Sequence, residues 1–175
     1  MIYRSSQNNV AIPAKAGMAT RVEAQYMNVI INSIDYTGSI VDGPGIRTVL
    51  YVQGCERKCY ACHNPATWNI SRGRTVRIQD LADELRLNIK NKKLTISGGE
   101  PLLQYASILE LVKKMTEFDI VLYTGFELNE VPKEILKYLR YIKVGKYIDE
   151  ERCTTVPYVG SRNQKFIELR GGSEV

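Results

Sequence analysis

The chain has 175 residues, 44% of them hydrophobic and 25% charged, enough for one well-buried domain and too few for two comfortable ones. No apolar run approaches the length of a membrane span, so no membrane is expected as a partner. The net charge is +5, but Lys/Arg-rich blocks are absent, and a nucleic-acid partner is not expected.

Residues 1–26 carry no periodic apolar pattern and hold Gln7-Asn8-Asn9, Pro13 and Gly17. They are expected to form a disordered N-terminal extension, with the folded domain over 27–175. From Met27 the pattern alternates. Asn28-Val29-Ile30-Ile31 is a first strand-like run, and Thr48 to Val52 is a β-branched strand. Ile78, Leu81, Ala82, Leu85 and Ile89 recur at helical spacing, predicting a helix over roughly 77–90. Leu94-Thr95-Ile96 is the next strand, ended by Gly98-Gly99, and Ile108, Leu111, Val112 and Met115 give a second helix face. Asp119 to Tyr123 is a strand stopped at Gly125. Pro132 opens a helix that buries Ile135, Leu136 and Leu139. Tyr141 to Val144 and Phe166 to Leu169 complete the strands. This alternation predicts an α/β fold with a mostly parallel sheet. A full eightfold barrel needs about 250 residues, so a partial, open (β/α) barrel is the expectation.

Three of the four cysteines fall in the segment Gly54-Cys55-Glu56-Arg57-Lys58-Cys59-Tyr60-Ala61-Cys62-His63-Asn64, directly after a strand. Clustered cysteines point to metal or redox chemistry in a reducing compartment, so a cytoplasmic location is expected. Thiolates at spacings of four and three residue numbers can wrap one side of a cubane iron–sulfur cluster. Three ligands leave one iron of the cube open, as a catalytic centre needs and a closed electron carrier does not. Two alternatives stand beside this reading: a structural zinc site completed by His63 or Cys153, and an electron carrier with Cys153 as fourth ligand.

Ser97-Gly98-Gly99-Glu100-Pro101 lies at the carboxyl end of a strand, where parallel α/β folds bind ligands. Its glycines let the backbone approach a ligand closely, and Glu100 offers an acceptor for a cationic amino group. Val41-Asp42-Gly43-Pro44-Gly45-Ile46-Arg47 has the composition of a surface turn.

Taken together, the Asp42-to-Arg47 turn, the cysteine loop running on to Thr67-Trp68, the Gly-Gly-Glu-Pro turn and Tyr123-Thr124-Gly125 resemble the glycyl-radical-enzyme activases of the radical S-adenosylmethionine superfamily. The resemblance spans essentially all of 27–175. It implies a partial (β/α) barrel in which Cys55, Cys59 and Cys62 hold a [4Fe-4S] cluster whose open iron is chelated by S-adenosylmethionine. Gly98, Gly99 and Glu100 would line the methionyl part, and Ala61, Cys62 and His63 would contact the cofactor. The implied activity is formation of a 5′-deoxyadenosyl radical that takes a hydrogen atom from a glycine of a protein substrate. No catalytic acid or base is implied, because the chemistry belongs to cluster and S-adenosylmethionine. The short length and the late Gly160 to Gln164 segment point within the family to an anaerobic ribonucleoside-triphosphate reductase as that substrate. Another glycyl-radical enzyme such as formate acetyltransferase is the alternative. A flavodoxin- or ferredoxin-type electron donor is implied as well. Asp42 and Arg47 are expected at the rim, against the partner protein. Three positions depart from the reductase-directed pattern: His63 stands where many members have Tyr, Val144 replaces the usual Asp before Gly145, and Arg162 interrupts the late Ser-Asn-Gln.

Overall fold

A computed structural model describes residues 27–169, so the expectation of a disordered 1–26 lies outside the described residues. Among the described residues, seven strands form one open sheet in the order β3-β1-β2-β4-β5-β6-β7. They are β1 (Asn28–Ser39), β2 (Arg47–Val52), β3 (Arg74–Arg77), β4 (Lys93–Gly98), β5 (Asp119–Tyr123), β6 (Tyr141–Val144) and β7 (Lys165–Glu168). The β2–β4, β4–β5 and β5–β6 pairs are parallel, while β1 runs against both β2 and β3, and β7 against β6. All strands but β1 and β7 therefore point one way. The expected partial barrel with a mostly parallel sheet is what the chain forms.

Pairing register sorts the side chains onto two faces, because neighbours directly opposite each other share a face. Leu50, Ile96, Leu122, Ile142 and Ile167 lie opposite one another in turn. This row packs into the main core with Leu81, Ala82 and Leu85 of α1 (Ile78–Asn88) and Ile108, Leu111 and Val112 of α2 (Tyr105–Lys114). Val49, Thr95, Val121 and Tyr141 form a row on the other face. One step toward the carboxyl ends, Tyr51 faces Ser97, and Tyr123, Lys143 and Phe166 lie opposite one another.

The sequence reading ends its first strand at Ile31, yet β1 continues to Ser39 because β2 pairs along its polar half, with register shifts near Ser33 and before Ser39. The short edge strand β3 was not foreseen. Only Val76 in Arg-Thr-Val-Arg is apolar, and pairing to β1 rather than burial makes it a strand. The helix expected from Pro132 through Leu139 is one turn, α3 (Lys133–Leu136), followed by tighter bonds from Tyr138 N to Ile135 O and Leu139 N to Leu136 O. Ile135 and Leu139 are buried as expected. Among the described residues no helix is long and apolar enough to cross a membrane.

Candidate functional site

The carboxyl ends of β2, β4, β5 and β6 open onto two adjoining cavities. Cys55, Cys59 and Cys62 all line the smaller one, of about 130 Å³, together with Gly98, Gly99, Glu100 and Thr124. Cys59 and Cys62 also line the larger one, of about 880 Å³, with His63, Asp42, Tyr123, Lys143 and Cys153. Fold and loop thus bring the cysteines and the Gly-Gly turn together, although they lie some forty residues apart in sequence. The larger volume falls in the range of small-ligand sites.

The loop leaves β2 through Gly54, whose φ of +100° suits glycine and whose missing Cβ makes room for Ile70. Gly54 N donates to Thr67 O and Cys55 N to Trp68 O, so the Thr67-Trp68 stretch of the resemblance acts as a clasp for the loop's entry. Gly99 sits so close to Gly54 that a Cβ would stand 2.2 Å from its carbonyl oxygen. Gly99 N donates to Val52 O and Glu100 N to Gly54 O. The second glycine of the turn therefore seats the turn against the cysteine loop.

Burial pushes the Cys55 thiol up from its ordinary pKa, with the Arg57 and Lys58 amides pulling the other way. Metal ligation would remove that proton. Among the described residues no three His, Cys, Asp or Glu side chains converge on a single-ion site. A cubane differs in that its three cysteines bind three separate irons. A set of three soft thiols on one cavity wall beside close-approaching backbone fits that group.

Glu100 lines the smaller cavity beside Gly98 and Gly99, and the chain's own groups hold it there. It is 2% exposed, and its carboxylate accepts from Thr124 Oγ1 at 2.8 Å, Gly125 N at 2.8 Å and Leu102 N at 3.1 Å. Arg57 Nε adds an ion pair at 3.4 Å. These bonds fix the orientation of the carboxylate at the cavity wall. His63 is exposed, lines the larger cavity and lies 5.2 Å from the Tyr147 ring, centroid to centroid. Ala61 is exposed with a φ of +52° and borders neither cavity.

Arg47 is a correction. Expected at the rim, it is fully buried. Its guanidinium donates to Thr95 Oγ1, Pro44 O, Leu94 O and both the carbonyl and carboxylate of Asp119. Its neighbour Asp42 stays at the rim, lining the larger cavity and accepting from Ser39 Oγ at 2.6 Å.

Sequence reasoning missed Lys143. It lines both cavities, with Nζ 5.0 Å from the centroid of the Tyr123 ring. Burial lowers its pKa to about 8, opposed by Glu100, Cys59 and Asp42. Alternation in Tyr-Ile-Lys-Val was the available signal: Lys143 shares a face with Tyr141, opposite the core residues Ile142 and Val144. The late segment also acquires a physical role. Gln164 accepts from Gly160 N and Ser161 N and donates to Gly145 O, and Asn163 donates to Lys146 O, so it braces the turn after β6.

Cys153 is buried and reaches the wall of the larger cavity. Its sulfur lies 3.2 Å from Thr155 Oγ1, a contact that with nearby amides pulls its pKa down to about 7. A serine hydroxyl can keep that contact. Cys153→Ser is therefore expected to retain the iron content of the parent protein, measured after anaerobic reconstitution. Loss of iron with the fold intact would make Cys153 a ligand and close the site.

A family of 4Fe-4S single cluster domains matches residues 41–167. The anaerobic ribonucleoside-triphosphate reductase-activating protein of Vibrio cholerae is 34% identical over 142 residues, covering 74% of this chain and 92% of that protein. The protein of the same description in Escherichia coli K12 is 30% identical, covering 77% and 96%. The pyruvate formate-lyase-activating enzyme of Clostridium pasteurianum is 36% identical over 137 residues, but only 56% of its length is covered. Among solved structures, QueE from Escherichia coli shares the fold, with a TM-score of 0.51 at 19% identity over 66% of this chain and 69% of that one.

Proposed function

The chain belongs to the 4Fe-4S single cluster domain family, among the anaerobic ribonucleoside-triphosphate reductase-activating proteins, and from that premise we infer that it is a radical S-adenosylmethionine enzyme that installs a glycyl radical on such a reductase. The observation that carries this is the meeting of three thiols and the Gly98-Gly99 turn on one cavity wall, at the carboxyl ends of parallel strands.

Cys55, Cys59 and Cys62 would hold the [4Fe-4S] cluster. When bound, cluster and S-adenosylmethionine supply one-electron cleavage of the sulfonium to methionine and a 5′-deoxyadenosyl radical, which takes a hydrogen atom from a glycine Cα. The remaining residues orient and exclude water. Backbone at Gly98 and Gly99 leaves room for the methionyl group, and His63 and Tyr147 face the space beyond it. The Lys143 ammonium opens onto the same space and suits an anionic group there, since a buried cation is costly without a partner. The electron would come from a flavodoxin- or ferredoxin-type carrier in a reducing cytoplasm, with residues 27–175 as the functional unit.

Around the larger cavity, Ile40, Val41 and Val156 are exposed at 73%, 70% and 46%. An apolar rim about an open mouth suits a protein substrate whose glycine loop completes the enclosure, with Asp42 beside it. Mixing the reconstituted protein, S-adenosylmethionine, a reductant and an anaerobic ribonucleoside-triphosphate reductase should therefore produce a glycyl radical signal in electron paramagnetic resonance. A reductase with its radical-site glycine replaced by alanine should give none. A radical on formate acetyltransferase, and none on the reductase, would move the assignment to the other branch of activases.

A further inference from the structure

The middle of the cysteine loop is held by little backbone. Among the described residues, the bonds that tie the loop down enter at its ends, through Gly54, Cys55, Thr67 and Trp68, and none joins residues 56–61 to the sheet. Lys58 and Ala61 sit at φ of +42° and +52°, conformations that an L-residue holds only when its surroundings require it. One side chain between the first two cysteines does reach the sheet, and it is Arg57.

Two contacts and one fitted space meet on it. Its Cζ lies 4.0 Å from the centroid of the Phe126 ring, a distance at which a guanidinium gains from the ring face. Its Nε stands 3.4 Å from Glu100 Oε2, the carboxylate already bonded to Thr124 and Gly125. Gly125 has no side chain where one would strike Arg57: a Cβ there would come within 2.7 Å of Cδ and 2.9 Å of Nε. The turn after β5 is thus shaped to receive this side chain. Arg57 itself lines the smaller cavity with all three cysteines.

We propose that Arg57 is the positioning residue of the cysteine loop: clamped between Glu100, Gly125 and Phe126, it sets the placement of Cys55 and Cys59 before any iron arrives. The clamp joins the loop to the ends of β4 and β5, so the thiols and the Gly-Gly turn keep one geometry. Arginine suits this place better than lysine, because its planar group can stack and ion-pair at once. The inference rests on the reading that this loop holds the cluster, but its first consequence concerns the metal-free protein.

The test uses the full chain with Arg57→Ala, Arg57→Lys and Phe126→Leu. In metal-free protein, an endoprotease specific for lysine should cut after Lys58 at least ten times faster in Arg57→Ala than in the parent, with other lysine sites cut at unchanged rates. In reconstituted protein, iron should pass to a chelator at least ten times faster from Arg57→Ala, and at an intermediate rate from Arg57→Lys. Phe126→Leu leaves the loop sequence intact, and should speed both processes several-fold. It decides the matter if Arg57→Ala does not fold. Parent-like cleavage at Lys58 and parent-like iron release in these variants would overturn the proposal. A parent protein that takes up no iron would overturn the cluster reading instead, and cleavage at Lys58 would still judge the clamp.

Discussion

In anaerobically reconstituted protein, alanine at Cys55, Cys59 or Cys62 is expected to abolish iron binding, from about four irons per chain in the parent. Two local thiolates cannot hold a cube that three hold at its corners. Cys153 is the only other cysteine; its sulfur is engaged with Thr155, and it does not line the smaller cavity where the other three meet. The fold should survive each change, because none of the three cysteines belongs to the hydrophobic core and all are half-exposed. Iron analysis and circular dichroism on the same samples separate the two effects. Adding S-adenosylmethionine to the reduced parent protein should also alter its electron paramagnetic resonance spectrum, which a closed four-thiolate carrier would not show. Stoichiometric zinc without iron would instead make this a structural metal site and end the radical reading.

The parts of the fold that were legible in the sequence are those where burial and pairing agree. Ile120, Val121 and Leu122 are buried on both faces of the sheet, and β5 was read to its last residue. The second half of β1 and all of β3 were not legible. Their strand character comes from hydrogen bonds to a neighbour distant in sequence, and Asp35, Thr37 or Arg74 carries no local mark of that. The site divides in the same way. Cysteine spacing announces a metal or redox centre, and the Gly-Gly turn, common on its own, gains meaning beside it. Lys143 and Arg57 announce nothing, because their surroundings depend on which loops meet at the carboxyl ends of the strands. Arg47 was misplaced for a reason that can be named. Its Gly-Pro-Gly neighbours read as a surface turn, yet it is the first residue of β2 and shares a strand face with Val49 and Tyr51. Alternation, followed one residue further back, would have turned it inward.

That inward position makes Arg47→Ala the substitution expected to cost the most stability, on the order of 3–5 kcal/mol, as when one partner of a buried charged pair is removed. For a domain of this size the loss amounts to roughly 10 °C in melting temperature. The side chain is 0% exposed, against one third for its carboxylate partner Asp119. Asp119 can therefore regain water, while the carbonyl groups of Pro44 and Leu94 lose a charged donor that bonds them at 3.1 and 2.9 Å. Arg47→Lys should recover little, because a single ammonium cannot reach Thr95, Leu94, Pro44 and Asp119 together. Arg47→Met keeps most of the volume and should fall between the parent and alanine. The bonds also tie the Gly43–Pro44 turn onto β4 and the start of β5: a Cβ at Gly43 would stand 3.0 Å from both Arg47 Cδ and Val121 Cγ2. Asp42, whose backbone carbonyl accepts from Thr95 Oγ1 at 2.6 Å, is held at the cavity rim by the same arrangement. Urea unfolding of the reduced, metal-free protein measures the loss without any contribution from a cluster. Asp42→Asn is the control, with an expected change within about 0.5 kcal/mol, as for a surface site. If Arg47→Ala unfolds within 1 kcal/mol of the parent while glycyl radical transfer to the reductase fails, the rim role would return and the buried network would be wrong.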